Sequence, residues 1–263
     1  MTVSESLKPH NRWPSYVLLA VMILLLLMTI GALLYTFSSN ASPAANTAMQ
    51  GGPQVQVSTT SGFISFAPAG SAVDASKAST GFILYPGAFV DATAYALFAS
   101  AIAASGYPVF VTPMPLDLAV MNPNAAQVVI DTHPEITNWV IGGHSLGGAM
   151  AGQFVAAHPD QISGLVLFGA YPNADLSGWN GIATSVYGTN DGIATSAQVQ
   201  AAANILPAGT TFVPIEGGNH AQFGDYGAQG GDNPATISAA EQLAQAAQAT
   251  LNVLNQVNAG NQG

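Results

Sequence analysis

The stretch Val140-Ile141-Gly142-Gly143-His144-Ser145-Leu146-Gly147-Gly148-Ala149-Met150-Ala151 decides the fold. Its start, with Trp139, is a short apolar run of the kind a buried strand uses. From about Leu146 to Ala157 the chain reads as a helix, closed by His158-Pro159. Between the two lies Gly143-x-Ser145-x-Gly147. A turn from strand to helix this sharp would drive flanking side chains into collision, so glycine is needed there. Ser145 is then held at a strained tip, hydroxyl exposed, with a helix N-terminus behind it. In a glycine-rich chain the bare pattern is common. Its place between a strand and a helix makes it informative.

Working outward, further strands are expected at 81–85 (GFILY), 107–111 (YPVFV), 164–168 (GLVLF), 184–187 and 212–215. Two short alternating stretches, 55–57 and 63–66, read as antiparallel edge strands. Helices are expected at 92–105, ended by Gly106, and at 124–133, 196–206 and 237–257. Strands alternating with helices imply one α/β domain: a mostly parallel sheet covered on both faces. Ligands of such sheets bind at the carboxyl ends of the strands.

A serine hydroxyl needs a base within hydrogen-bond reach to act as a nucleophile. The chain has five histidines. His10 precedes a long apolar run, His133 precedes the elbow, His144 adjoins Ser145 and points away from it, and His158 closes a helix. His220 remains, in the glycine-rich Glu216-Gly217-Gly218-Asn219-His220 directly after the last strand. The group that orients its imidazole is expected to be Asp191, in Tyr187-Gly188-Thr189-Asn190-Asp191-Gly192. Asp175 is the competitor, further from its strand end. The order Ser…Asp…His is one that nucleophile-elbow enzymes use. The oxyanion of an acyl-transfer reaction needs two backbone donors. These are expected from Leu146 and from Pro86-Gly87-Ala88-Phe89, where Ala88 is the choice and Phe89 the alternative. Singly, each residue has an ordinary reading: Ser145 a polar residue in a glycine turn, His220 a hydrogen-bonded loop histidine, Asp191 a cap before Ile193. Together, each at a strand end, they read as a triad.

Composition narrows the alternatives. Of 263 residues 49% are hydrophobic and 6% charged, and the formal net charge is −10. The only basic side chains are Lys8, Arg12 and Lys77, which argues against nucleic-acid binding. There is no cysteine, which excludes disulfides, thiolate metal sites and a cysteine nucleophile. No metal or organic cofactor is called for.

The N-terminal region divides into a short cytoplasmic stretch (1–16), a membrane-anchor helix (17–35) and a flexible linker (36–54) before the domain at 55–263. Residues 17–34, VLLAVMILLLLMTIGALL, carry no charge and number 18. As a helix that is about 27 Å, enough to span a bilayer. Lys8 and Arg12 precede the run and no basic residue follows until Lys77, which places the domain outside the cytoplasm. The alternative is a signal peptide cleaved at Ser39-Asn40-Ala41.

YPGAFVD (85–91), GYPVFVTPMPL (106–116), VIGGHSLGGAMA (140–151), YGTNDG (187–192) and EGGNHAQFGDYG (216–227) together resemble the α/β-hydrolase superfamily. Within it they are similar to small bacterial dienelactone-hydrolase-like enzymes. The resemblance spans about 80 to 257. It departs from the family at Pro86-Gly87, where many members have His-Gly, and in its nucleophile, which is cysteine in dienelactone hydrolases proper. Lactone specificity is therefore not implied. What is implied is a serine hydrolase of small-molecule esters, carboxylesterase-like. An acyltransferase on the same triad, or a membrane-tethered binding module on the same scaffold, are the alternatives. In the family a lid inserts between the strands at 164–168 and 184–187. That gap is too short here for a large cap, which implies an open site walled by Phe89, Leu146, Met114, Tyr171, Trp179 and Phe223, with FGDYG packed behind the histidine.

Overall fold

The strands read at 81–85 and 139–141 lie side by side at the centre of one sheet. In the computed structural model they are β3 (Thr80–Tyr85) and β5 (Asn138–His144), every residue buried, with Ile83 opposite Ile141 and Tyr85 opposite Gly143. The structure describes residues 39–260, together with residues 16, 19, 22–26, 28 and 29.

Around this pair run β1 (Val55–Thr59), β2 (Ile64–Pro68), β4 (Val109–Val111), β6 (Gly164–Phe168), β7 (Ile182–Gly188) and β8 (Thr211–Ile215). The sheet order is β1-β2-β4-β3-β5-β6-β7-β8. β1 pairs antiparallel with β2, and β2 with β4; all pairs from β4 to β8 are parallel. The expected antiparallel pair thus extends one side of a parallel sheet.

Because strand side chains alternate, each central strand feeds two cores. Phe82, Leu84, Val140, Val166 and Val186 pack with α2 (Ala96–Ala103) and α6 (Ala239–Gly260). Ile83, Tyr85, Ile141, Leu165 and Leu167 pack with α3 (Ala125–Thr132) and α4 (Leu146–Ala157). The result is three layers, helix–sheet–helix. Helix α6 starts at a capping box: the Ser238 hydroxyl accepts the Glu241 amide (3.2 Å) and the Glu241 carboxylate accepts the Ser238 amide (2.9 Å). Its buried residues Gln242, Ala246, Thr250, Val253 and Val257 recur at helical spacing and make one face. Helix α5 (Ser196–Ala201) opens on a second capping box, Thr195 with Gln198. Between β6 and β7 there is no helix or strand, so no cap domain interrupts the rim.

The linker reading of 36–54 needs correction. The compact unit begins at Ser39, and within the stretch lies α1 (Pro43–Ala48). The Ser42 hydroxyl accepts the amides of Ala44 and Ala45, both at 3.1 Å, and Pro43 occupies the first turn. Ser-Pro is an N-terminal helix signal that the small, polar composition masked. Ala45 is fully buried, so the short helix persists through docking rather than propensity. The expected anchor at 17–35 falls for the most part outside the described residues. Among the described residues, no helix is long and apolar enough to cross a membrane.

Leu254 is fully buried among the sheet's side chains, whereas Gln256, on the same helix, is exposed. Leu254→Ala is expected to lower unfolding free energy by about 2–5 kcal/mol and Gln256→Ala by about 0.5 kcal/mol or less, measured by urea denaturation.

Candidate active site

The elbow closes because its glycines have no side chains. A Cβ on Gly143 would lie 2.4 Å from the Gly147 carbonyl oxygen, and one on Gly147 would lie 2.2 Å from the Tyr85 and 2.3 Å from the Pro86 carbonyl oxygens. Backbone cannot yield to such contacts as a flexible side chain would. Helix α4 therefore starts directly against the end of β3. Ser145, between them, has φ 53° and ψ −123°, a conformation that side chains other than hydrogen resist. Its amide donates to the Phe168 carbonyl (3.0 Å), tying the tip to β6.

Two and three strands further along the sheet from β5, Asp191 follows β7 and His220 follows β8. His220 Nδ1 lies 2.8 Å from Asp191 Oδ2, and both side chains are fully buried. The carboxylate is held from its other side: Asp191 Oδ1 accepts the amides of Ile193 (2.8 Å) and Ala194 (2.7 Å). One oxygen of Asp191 thus faces the imidazole and the other holds the turn before Ile193. With an acid on Nδ1, the bonding assigns the proton to that nitrogen and leaves the Nε2 lone pair free. Nε2 is buried and has no hydrogen-bond partner among the described residues. The Ser145 hydroxyl caps no helix amide. No hydrogen bond joins these two atoms in this structure.

Gly169 places the three residues in one neighbourhood. It lines the same cavity as Ser145, while a Cβ on it would lie 2.9 Å from Asp191 Oδ2 and 3.0 Å from His220 Nδ1. Ser145 thus opens on one side of this glycine and the Asp–His pair lies against it. The competitor Asp175 plays another part: its carboxylate accepts the Ser177 amide (2.9 Å) in an exposed turn.

His144 takes the opposite direction from its neighbour. Its ring is buried, 4.6 Å from the His220 ring, and Nδ1 lies 2.9 Å from the Tyr95 hydroxyl. Burial, and after it the nearby His220, pull its pKa well below the usual histidine range. His144 is therefore neutral, and its Nδ1 accepts the Tyr95 proton. The same Tyr95 oxygen accepts the Gly87 amide (2.8 Å). Burial pushes the Tyr95 phenol far up, so it remains protonated and can serve both contacts.

The loop after β3 then has its amides sorted. Gly87 donates to Tyr95, Phe89 to the Asp117 carbonyl (2.7 Å), and Val90 to the Gly87 carbonyl (3.3 Å). Ala88 has no partner among the described residues, and neither does Leu146 at the start of α4. Those are the two donors the sequence named, and the geometry favours Ala88 over Phe89. Phe89 itself sits at φ 60°, and the loop supporting it has left-handed backbone at Leu116 (φ 55°) and Asp117 (φ 54°).

The cavity at Ser145 measures about 250 Å³ and is lined by Leu146, Ala149, Gly169, Ala170, Tyr171, Ile193 and Ala194. Of the expected walls, Leu146 and Tyr171 line it. Trp179 does not: it borders a separate cavity with Pro159 and Ile182, at the opposite end of the strands, where its indole donates to the Pro159 carbonyl (3.3 Å). Phe223 is buried against the His144 and Phe168 rings (5.7 and 5.9 Å), behind the histidine. Met114 is buried in the α3–α4 core, and Phe89 is absent from the lining. The walls actually used follow strand ends already identified. Gly169-Ala170 follow β6, Ile193-Ala194 follow Asp191, and Ala149 is one helical turn after Ser145.

Three residues of the support were not singled out from sequence. Asp232 accepts the Gly192 amide (3.0 Å) with one oxygen and the Ala221 amide (2.9 Å) with the other, joining the two loops that carry Asp191 and His220. Gln242, fully buried on α6, accepts the Asn219 amide (2.9 Å) and donates to its carbonyl (2.7 Å). Tyr95 lies within the stretch 92–105, which reads only as a helix. A glutamine on the buried face of α6 was the one available signal.

The fold recurs in solved structures. A putative hydrolase from Agrobacterium vitis S4 aligns with TM-score 0.55 at 13% identity, over 76% of this chain and 99% of its own. A thermophilic esterase from Thermogutta terrifontis aligns with TM-score 0.54 at 14% identity, over 78% and 98%. A predicted CIB-like hydrolase from Thermoplasma acidophilum aligns with TM-score 0.52 at 17% identity, over 76% and 98%. At such identities the likeness concerns the fold alone. Comparison with curated protein sequences returns no match. The sequence pattern of the alpha/beta hydrolase family, however, matches residues 81–244, from β3 into the first turns of α6. Every strand end that carries a residue of the candidate site falls within that match, and the chain belongs to the alpha/beta hydrolase family.

Proposed function

We propose that this hydrolase cleaves carboxylic esters through an acyl-enzyme on Ser145. The observation that carries the reading is the buried Asp191–His220 pair, whose Nε2 is left without a partner and which lies against Gly169, a residue of the cavity that Ser145 lines. His220 Nε2 takes the Ser145 proton as the oxygen attacks the ester carbonyl, and Asp191 stabilises the imidazolium that forms. The tetrahedral oxyanion receives the Ala88 and Leu146 amides. On collapse, His220 returns the proton to the leaving alkoxide. Water, deprotonated by the same nitrogen, then releases the acid. The esterase among the solved structures of like fold is in keeping with this chemistry.

The acyl group is short and uncharged in this reading. The cavity, about 250 Å³, is below the about 300–1,000 Å³ of ordinary ligand pockets, and its walls are mainly Ala149, Ala170, Ile193, Ala194 and Tyr171. The one basic side chain among the described residues, Lys77, is held elsewhere by Asp74 (3.5 Å) and the Ser105 carbonyl (3.0 Å), so no cation awaits an anionic substrate. We also propose a membrane attachment through residues 17–35 with the domain extracytoplasmic, supported by the uncharged run and by the basic residues that precede it.

A fluorophosphonate probe is expected to label Ser145, detected by peptide mass spectrometry; a folded protein that stays unlabelled would remove the nucleophile. Ser145→Ala is expected to abolish ester turnover with the unfolding transition retained. Asp191→Asn is expected to lower kcat by about 10⁴, through loss of the correct tautomer, and a drop of less than about tenfold would leave His220 oriented by something else. Across p-nitrophenyl esters, kcat/KM is expected to fall by about tenfold or more from butyrate to decanoate.

A further inference from the structure

Residues 39–42, which follow the apolar N-terminal run, touch both loops on which the proposed chemistry depends. The Ser39 amide donates to the Phe89 carbonyl (2.6 Å), and the Asp91 amide donates to the Ser39 carbonyl (3.1 Å). Ser39 thereby lies as a short parallel bridge beside Val90. Three residues on, the Ser42 amide donates to the Asp225 carbonyl (2.8 Å) and its hydroxyl donates to the Asp225 carboxylate. Asp225 is in the loop that leaves His220, and its own amide is fixed on the Ala94 carbonyl (2.8 Å).

The Phe89 peptides are thus clamped from two directions. The amide goes to Asp117 (2.7 Å) and the carbonyl to Ser39, while φ at Phe89 is 60°. A conformation this unfavourable persists only where its surroundings hold it. Ala88, the unpartnered donor, precedes this clamp and follows the Gly87–Tyr95 bond. Its direction is set by contacts on either side, and one of them lies on residues outside the alternating strand–helix part of the chain.

We propose that Ser39–Ser42 is a positioning strap for the acyl-transfer site, holding the Ala88 amide and the His220 loop in register without touching substrate. The inference rests on the proposed function for its effect on turnover. It also bears on processing. Cleavage after Ala41 would leave Ser42 but remove both Ser39 bonds to the oxyanion loop, so a chain cut there would be a slower enzyme than the uncut one.

The test uses the full chain carrying Ser39→Pro, which removes the amide donor, Ser42→Ala, which removes the hydroxyl, and Ser42→Thr, which retains it. Amide hydrogen exchange is followed by mass spectrometry over 86–91, 220–226 and, as internal reference, 138–144. With p-nitrophenyl acetate, kcat and KM are measured separately. Loss of one bond is expected to speed exchange about fivefold over 86–91 in Ser39→Pro and over 220–226 in Ser42→Ala, with 138–144 unchanged. In both variants kcat is expected to fall about tenfold with KM within about twofold, because misplaced donors affect the transition state more than binding. Ser42→Thr is expected to behave as the parent. Unchanged exchange in both loops overturns the strap, whatever the activity. So does a kcat that both variants share with an active parent, or exchange raised equally over 138–144 with no recovery in Ser42→Thr. A parent inactive on every ester, with the loop-specific exchange still present, overturns the proposed function and leaves the strap standing.

Discussion

The whole rim of this domain depends on one close backbone contact, the packing of Gly147 against the carbonyls of Tyr85 and Pro86. No side chain fits there, so α4 can begin where β3 ends. That contact brings the Leu146 amide beside the loop that carries Ala88, and it holds Ser145 at a positive φ. Steric exclusion, rather than any favourable bond, is what fixes the geometry. The favourable bonds then accumulate around it: Ser145 on Phe168, Gly87 on Tyr95, Phe89 on Asp117.

Around the elbow the chain buries a cluster of polar side chains, in a molecule in which only 6% of residues are charged. Asp191, His220, His144 and Gln242 are all buried, and each is held by at least one partner. A buried carboxylate without donors would be costly; Asp191 has two amides and an imidazole. The exceptions are informative. The Nε2 atoms of His220 and His144 are buried without partners, at rings 4.6 Å apart. His144 tolerates this as a neutral ring anchored by Tyr95. For His220 the free nitrogen is the one the proposed proton transfer uses.

The support for this polar cluster comes from distant parts of the chain. Gln242 reaches it from α6, Asp232 from the loop before that helix, and Asp225 links it to Ser42. Apart from Gln242, a glutamine on the buried face of α6, none of these residues has a pattern that announces its role. A single aspartate in Gly231-Asp232-Asn233 reads as turn, and Ser42-Pro43 in an alanine-rich stretch read as linker. Their partners are mostly backbone amides and carbonyls, which nearly every residue possesses and no sequence distinguishes. The misplaced pocket walls have a similar origin. Trp179 and Phe223 were named as walls, whereas half of the actual lining is alanine and glycine.

What the residue order determined by itself was the alternation of strands and helices, the elbow around Ser145, and Asp191 and His220 at strand ends. Those follow from local rules: period-two burial, glycine where backbone must approach backbone, and polar groups placed just beyond apolar runs. Only the tertiary structure decided that Asp117 takes the Phe89 amide, which residues wall the cavity, and that the chain from Ser39 onward docks on the domain. Each of those outcomes depends on how segments far apart in sequence pack and compete for hydrogen-bond partners, and that competition has no solution until the segments are packed together.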